Sequence, residues 1–297
     1  MDNTSESPNS RNIPLPIQRE VRKRCGFGCV ICGVPLYEYD HLLGWANVKR
    51  HIAEEITLLC NKHHHEKTSG LLLNEDVLVA NTNPFNLCSS VSKPYDLHFS
   101  GTECETIIGG NKFTTLDQGY GTAIIPLMID EIPLVAFLLT DGHLLLNLNL
   151  FDENNEQILR ICNNQLWYST NPWDIELKGK NLIIREANHN ILIDITFNMP
   201  NQITINRGRF LLNGVEVLVR PQYLLLTNNK MLLKGCEGQS IQGGLILGPN
   251  TQVLSGFMHI STINRYLGDR SKALELAREM LAKSNDSATN GSHIPKT

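Results

Sequence analysis

The sequence predicts an α+β protein: a small metal-stabilised finger near the N-terminus, then a long and mostly antiparallel β region, either a sandwich or a β-roll, then a C-terminal helix. Three observations carry that reading. Cysteines and histidines crowd at metal-ligand spacing between Cys29 and His65. From about residue 104 to 258 apolar residues alternate, or run in short blocks broken by turn dipeptides. After about residue 259 the apolar spacing becomes helical.

Composition narrows the class. A chain of 297 residues suits one large domain or two ordinary ones, and 41% hydrophobic residues is enough for a packed core. The net charge of -4 is mild, so any polyanion binding has to come from a local patch. Of eight cysteines, Cys25, Cys29, Cys32 and Cys60 lie close together and the rest are scattered. That pattern fits a reducing compartment with a metal site better than a disulfide framework. The start, "MDNTSESPNSRN", is polar and lacks an apolar signal core. No stretch approaches the roughly 20 apolar residues of a membrane span. The expectation is a cytoplasmic protein that stays out of membranes.

Taken in order, residues 1–13 read as a disordered polar tail. "IPLPIQREVRKRCG" opens with two prolines and offers a short basic helix that ends near Gly26. The finger is expected over 14–80. Residues 81–103, rich in Asn, Ser and Pro, read as a linker. In the β region, Ile191, Ile193, Ile195 and Phe197 fall on one face of "NILIDITF", with Asp194 and Thr196 opposite. Asp-Gly, Asn-Gly and Asn-Asn pairs interrupt the neighbouring apolar runs and tolerate the positive φ of tight hairpins. Over 104–258 this makes a sensing, targeting or oligomerising domain. At the end, Ile263, Leu267, Leu274, Ala277 and Leu281 recur at helical spacing, which predicts an amphipathic helix over 259–284 and a disordered tail over 285–297.

The cluster carries the chemistry. Cys29-x-x-Cys32 and Cys60-x-x-His63 are two knuckles, and together they supply the four soft or borderline donors of a tetrahedral structural zinc. Gly33 follows the first knuckle, where a tight turn helps the sulfurs converge; Cys25 competes as a ligand. Around the knuckles stand Asp40, His41, His64, His65, Lys67 and Thr68. If a helix begins near His63, then His64, Lys67 and Thr68 share one face. A carboxylate and an imidazole can hold one hard divalent ion. A second imidazole can take a proton from water, and Lys67 can contact a phosphate.

On these residues the stretch 22–72 resembles the zinc-containing HNH endonucleases, which carry two knuckles, a D-H dipeptide after the first, and a C-x-x-[CH]-H-x-x-K-T run at the second. The resemblance implies a ββα-metal, treble-clef-like finger. It implies a DNA-cleaving hydrolase in which His41 is the general base and Asp40 and His64 hold a catalytic divalent ion, usually Mg²⁺, with Lys67 completing the catalytic set. One position departs from the pattern. Where the family has a bracing Asn before the third zinc ligand, this chain has Glu55 or Glu54, and His51 is available for the orienting role.

DNA is therefore the expected partner, with Arg22, Lys23, Arg24, Lys49 and Arg50 placed to meet its backbone. A second copy or a partner protein is expected to dock through the β domain or the C-terminal helix. A bacterial defence effector or a component of a mobile element would have this architecture. The competing expectation is a catalytically inert zinc finger that binds nucleic acid or protein and is attached to a β interaction domain.

Overall fold

The computed structural model describes residues 11–119, 121–251, 254, 256–265, 275 and 279. In chain order its helices are α1 (Leu15–Arg24), α2 (Trp45–Val48), α3 (Asn61–Thr68), α4 (Asn74–Thr82) and α5 (Phe85–Ser89). The first strands are β1 (Glu38–His41), β2 (Ile56–Leu59), β3 (Tyr95–Asp96), β4 (Glu103–Ile108), β5 (Asn111–Leu116), β6 (Thr122–Ile129), β7 (Ile132–Thr140) and β8 (His143–Phe151). There follow β9 (Gln157–Cys162), β10 (Gln165–Tyr168), β11 (Asp174–Lys178), β12 (Asn181–Ala187), β13 (Asn190–Asn198) and β14 (Gln202–Leu212). The last are β15 (Val215–Arg220), β16 (Tyr223–Leu226), β17 (Met231–Leu233), β18 (Glu237–Gln239), β19 (Gly243–Leu247) and β20 (Gly256–Ile260). The protein is thus mostly β-strand with few helices. Among the described residues no helix is long and apolar enough to cross a membrane. Most of the helix expected over 259–284 and of both tails lies outside the described residues; Glu275 and Glu279 are helical, while His259 and Ile260 belong to β20.

The chain divides into two compact units. The first takes in residues 1–97 together with 158–161 and 165–192; the second takes in the remainder. The strip read as a linker, 81–103, is partly regular: it contains α5 and β3, and its first part belongs to the first unit.

In the first unit, β1 and β2 pair antiparallel, with Asp40 opposite Thr57 and His41 opposite Ile56. Helix α3 starts directly after β2, so two strands and a helix follow one another. All four residues of β2 are buried, and Ile56, Leu58 and Leu59 join Val21, Val30, Leu42, Ala53 and Val77 in one apolar core. The side chains of Cys25, Cys29 and Cys60 belong to the same core. Removing this much apolar surface from water is what stabilises so short a hairpin.

Helix α1 enters on prolines and ends at Cys25, whose amide donates to Val21 O at 2.9 Å. Its buried face carries a charge. Arg22, 4% exposed, donates from Nε to Asp174 Oδ1 at 2.8 Å and from Nη2 to Asp174 Oδ2 at 2.7 Å. Its Nη1 reaches the Tyr39 hydroxyl on β1 at 2.8 Å. Asp174 opens β11 and also accepts from Arg185 Nη1 on β12 at 3.0 Å. One turn earlier, Arg19 lies 3.6 Å above the Trp173 ring. The Arg22 charge survives burial because each of its three nitrogens has an oxygen partner.

The second unit is built of hairpins. β6, β7 and β8 pair in order, and so do β14, β15, β16 and β17. Two of the expected turns take positive φ at both residues, Asp141 and Gly142 between β7 and β8 and Asn213 and Gly214 between β14 and β15, whereas at the Asn228–Asn229 pair the positive φ falls on Lys230 instead. Alternation is clear in β8, where Leu144, Leu146, Leu148 and Leu150 are fully buried and Asn147 and Asn149 face the other way. In β13, Ile193, Ile195 and Phe197 are buried as the period-2 pattern requires, but Ile191 is only half-buried and Leu192, on the other face, is fully buried. Within this unit β8 approaches β14 and β4 approaches β7, so strands of two sheets face each other. Four pairings are parallel, β4 with β14, β5 with β18, β6 with β19 and β19 with β20; the first three join strands far apart in sequence, and none can be read as a hairpin.

Asp174→Asn should destabilise the first unit by about 3–5 kcal/mol, because it takes the bidentate counterion from the buried Arg22 guanidinium, and Arg22→Met should cost less, because Arg185 still pairs with Asp174. Urea unfolding followed by tryptophan fluorescence reads this directly. A loss below about 1 kcal/mol in both variants, the scale of an exposed pair, would contradict a buried ion pair.

Candidate functional site

The two knuckles converge. One donor atom from each of Cys29, Cys32, Cys60 and His63 lies within 4.8 Å of the others, which forms a cluster that could hold a metal ion. Cys29 Sγ and Cys60 Sγ each stand 3.3 Å from His63 Nδ1, and Cys32 Sγ stands 3.7 Å from Cys60 Sγ. Three sulfurs and one imidazole match the donor chemistry of a closed structural zinc site. The contact with Cys32, aided by the Cys60 and Cys32 backbones and by His63, lowers the Cys29 thiol below the ordinary cysteine value against the opposing effect of burial. The same contact pushes Cys32 up. His63 Nε2, on the far side of the ring, lies 3.9 Å from Glu66 Oε2.

Cys25 is not in the cluster. It is fully buried, 3.9 Å from Thr57 Oγ1, and burial raises its pKa. It is a core thiol.

The first knuckle is held from behind by Asn86. This residue of α5 is fully buried, and its Nδ2 donates to Gly26 O at 2.9 Å and Gly33 O at 3.1 Å. Its Oδ1 accepts from the Lys93 amide at 3.2 Å. Gly33 turns with φ +74°, and a Cβ there would collide with Asn86 Oδ1 and the Phe85 ring. Glycine is therefore needed for both conformation and space.

A second constellation lies between β1 and α3. His64 and Lys67 are three apart in α3 and both reach Asp40, as their shared helix face predicts. His64 Nε2 lies 3.5 Å from Asp40 Oδ1. The Lys67 ammonium pairs with Asp40 Oδ2 and donates to the backbone oxygens of His41 at 3.3 Å and Leu42 at 3.4 Å. Lys67 is thus tied into the hairpin rather than held out toward a phosphate. The Thr68 hydroxyl donates to His65 O at 2.9 Å, and His65 itself is exposed.

His41 follows Asp40 in β1 and packs elsewhere. Its Nε2 lies 3.3 Å from His51 Nδ1, and its ring centroid is 5.0 Å from that of Trp45. Trp45 in turn stacks on His51 at 4.8 Å and 17°. Burial, and then His51, lower the His41 pKa below the ordinary imidazole value, while Asp40 opposes the shift. The ring is accordingly neutral at neutral pH. Among Asp40, His41 and His64, the close approach is between Asp40 and His64.

Glu55, at the bracing position, pairs with Arg50, whose Nε donates to Oε2 at 3.0 Å. Its backbone oxygen accepts from the Leu42 amide at 2.9 Å, so the main chain makes the brace across the loop. The residues expected to meet DNA fall into two groups. Lys23, Lys49 and Arg50 are exposed. Arg22 is not available, because its guanidinium is buried on Asp174. Arg24 is engaged as well, donating to Asn81 Oδ1 at 2.9 Å and Ala53 O at 2.8 Å. An "RKR" run looks basic in sequence, but α1 turns two of its three charges inward.

Compared with known protein families, curated proteins and solved structures, the chain matches none. What can be said of the site rests on its own residues.

Full-length protein should carry one equivalent of zinc by elemental analysis. Cys29→Ser should lose it, with melting of the first unit's core. Asn86→Ala should keep the zinc ligands yet lower stability by about 1–3 kcal/mol, because it orphans two buried carbonyls and an amide. Thermal unfolding with and without a chelator separates the two effects.

Proposed function

We propose that the protein is a metal-dependent endonuclease of the HNH kind that hydrolyses phosphodiester bonds of DNA. The observation that carries the reading is the approach of Asp40 Oδ1 to His64 Nε2 at 3.5 Å across β1 and α3. Two ligand atoms bound to one ion at about 2.1 Å each lie roughly 3 Å apart, so the pair needs little movement to share a divalent cation. That cation, when bound, supplies positive charge for the phosphate oxygens and the leaving 3′ oxygen.

The chain's own residues do the rest. Lys67 fixes the Asp40 carboxylate through its second oxygen. His41, neutral because it is buried beside His51, is able to accept a proton from the attacking water. Lys23 and Lys49 are exposed and available to lie along the DNA backbone, whereas Arg50 is exposed but held by Glu55. A zinc held by Cys29, Cys32, Cys60 and His63 sets the spacing of β1 and α3. The second unit, with its hairpins and no assigned chemistry, serves as a targeting or oligomerising module.

One observation favours the alternative of an inert binding finger. The Lys67 ammonium already neutralises Asp40, and His41 Nε2 already has His51 as a neighbour. The two readings part on a single assay. Supercoiled plasmid incubated with the full chain in Mg²⁺ or Mn²⁺ should be nicked or cut, and EDTA should stop it. His41→Ala and His64→Ala should lower the rate at least 100-fold, on the scale of general-base and ligand losses, while zinc content stays constant. Plasmid that is bound but stays intact in every metal would leave the inert finger as the better account.

A further inference from the structure

The imidazole of His64 stands between two carboxylates. Glu38 and Asp40 are two residues apart in β1, so their side chains leave the strand on the same side. His64 Nε2 faces Asp40 Oδ1 at 3.5 Å, and His64 Nδ1 faces Glu38 Oε2 at 3.8 Å. A neutral imidazole carries one proton, on one nitrogen. Nε2 has to be bare to share an ion with Asp40. The proton then belongs on Nδ1, and Glu38 is the acceptor that lies there.

We propose that Glu38 is a positioning residue that fixes the tautomer and ring plane of His64 for binding a divalent cation. The proposal rests on the reading of Asp40 and His64 as a ligand pair. Metal-binding histidines commonly donate their second ring N–H to a carboxylate, which both orients the ring and makes the ligating nitrogen more basic. The zinc-type cluster repeats the pattern in the same helix: His63 Nδ1 faces the sulfurs, and its Nε2 faces Glu66 Oε2 at 3.9 Å. Exposure separates the two carboxylates of β1. The Asp40 side chain is 9% exposed and locked by Lys67, whereas that of Glu38 is 56% exposed and free to close on Nδ1. Replacing Glu38 therefore removes an acceptor without opening the core.

The experiment uses the zinc-loaded full chain and Mn²⁺ as the probe ion. Its affinity is measured by electron paramagnetic resonance for wild type, Glu38→Ala, Glu38→Gln and Asp40→Ala, and the protonated nitrogen of His64 is read by ¹⁵N NMR. Glu38→Ala should bind Mn²⁺ 10–100-fold more weakly and show His64 in mixed tautomers, with zinc content and melting temperature unchanged. Glu38→Gln should recover part of the affinity, because its amide oxygen still accepts from Nδ1–H. Wild-type affinity in Glu38→Ala, with binding abolished in Asp40→Ala, overturns the role of Glu38 and leaves the ligand pair standing. Wild type that binds no Mn²⁺ overturns the ligand pair itself, and Glu38 with it.

Discussion

The finger depends on the gathering of three sulfurs and one imidazole nitrogen within 4.8 Å. A four-residue strand pair and an eight-residue helix are too short to persist alone in water. A metal ion taken up by these four donors would join the turn after Cys29 to the start of α3 and tie separate local structures into one body. Asn86 reinforces that joint from the opposite side by taking up carbonyls that the knuckle turn would otherwise leave buried and unpaired. The Asp40–His64 approach then follows, because β1 is paired to β2 and α3 grows directly out of β2.

Charge is handled in a consistent way in this unit. Arg22, Arg24 and Lys67 all look like surface cations in the sequence, and all three turn inward. Each meets a carboxylate or a set of backbone oxygens, and each fixes a segment that borders the candidate site: α1 against β11, the turn before β2, and the end of β1. Lys23, Lys49, Arg50 and Lys62 stay exposed, Arg50 against Glu55 and Lys62 beside Glu66.

How much of this was legible in the sequence depended on range. The knuckles could be read, since ligand spacing within a turn is local, and so could the face shared by His64 and Lys67. Strand alternation and the Asp141–Gly142 and Asn213–Gly214 turns are period and φ effects of a few residues, and they were equally readable. The direction of Arg22 was not, since its partner is 152 residues away. Asn86 sat in a polar strip that reads as a linker; only the geometry of the Gly26 and Gly33 carbonyls gives it a task. Parallel pairings such as β6 with β19 leave no mark on local periodicity. The position of His41 beside Trp45 and His51 depended on the fold of the long loop between β1 and β2, which no pattern specifies.

The Arg22–Asp174 pair has a consequence for synthesis. All four cluster ligands and the Asp40–His64 pair leave the ribosome well before residue 174 does. Until then α1 carries a guanidinium that its mature packing would bury without a counterion. The nascent finger can collect its sulfurs early, but it cannot seat its first helix, and the anchoring of Tyr39 beside Asp40 waits with it. A translation product truncated before Asp174 would carry every cluster ligand and still lack the counterion of its first helix.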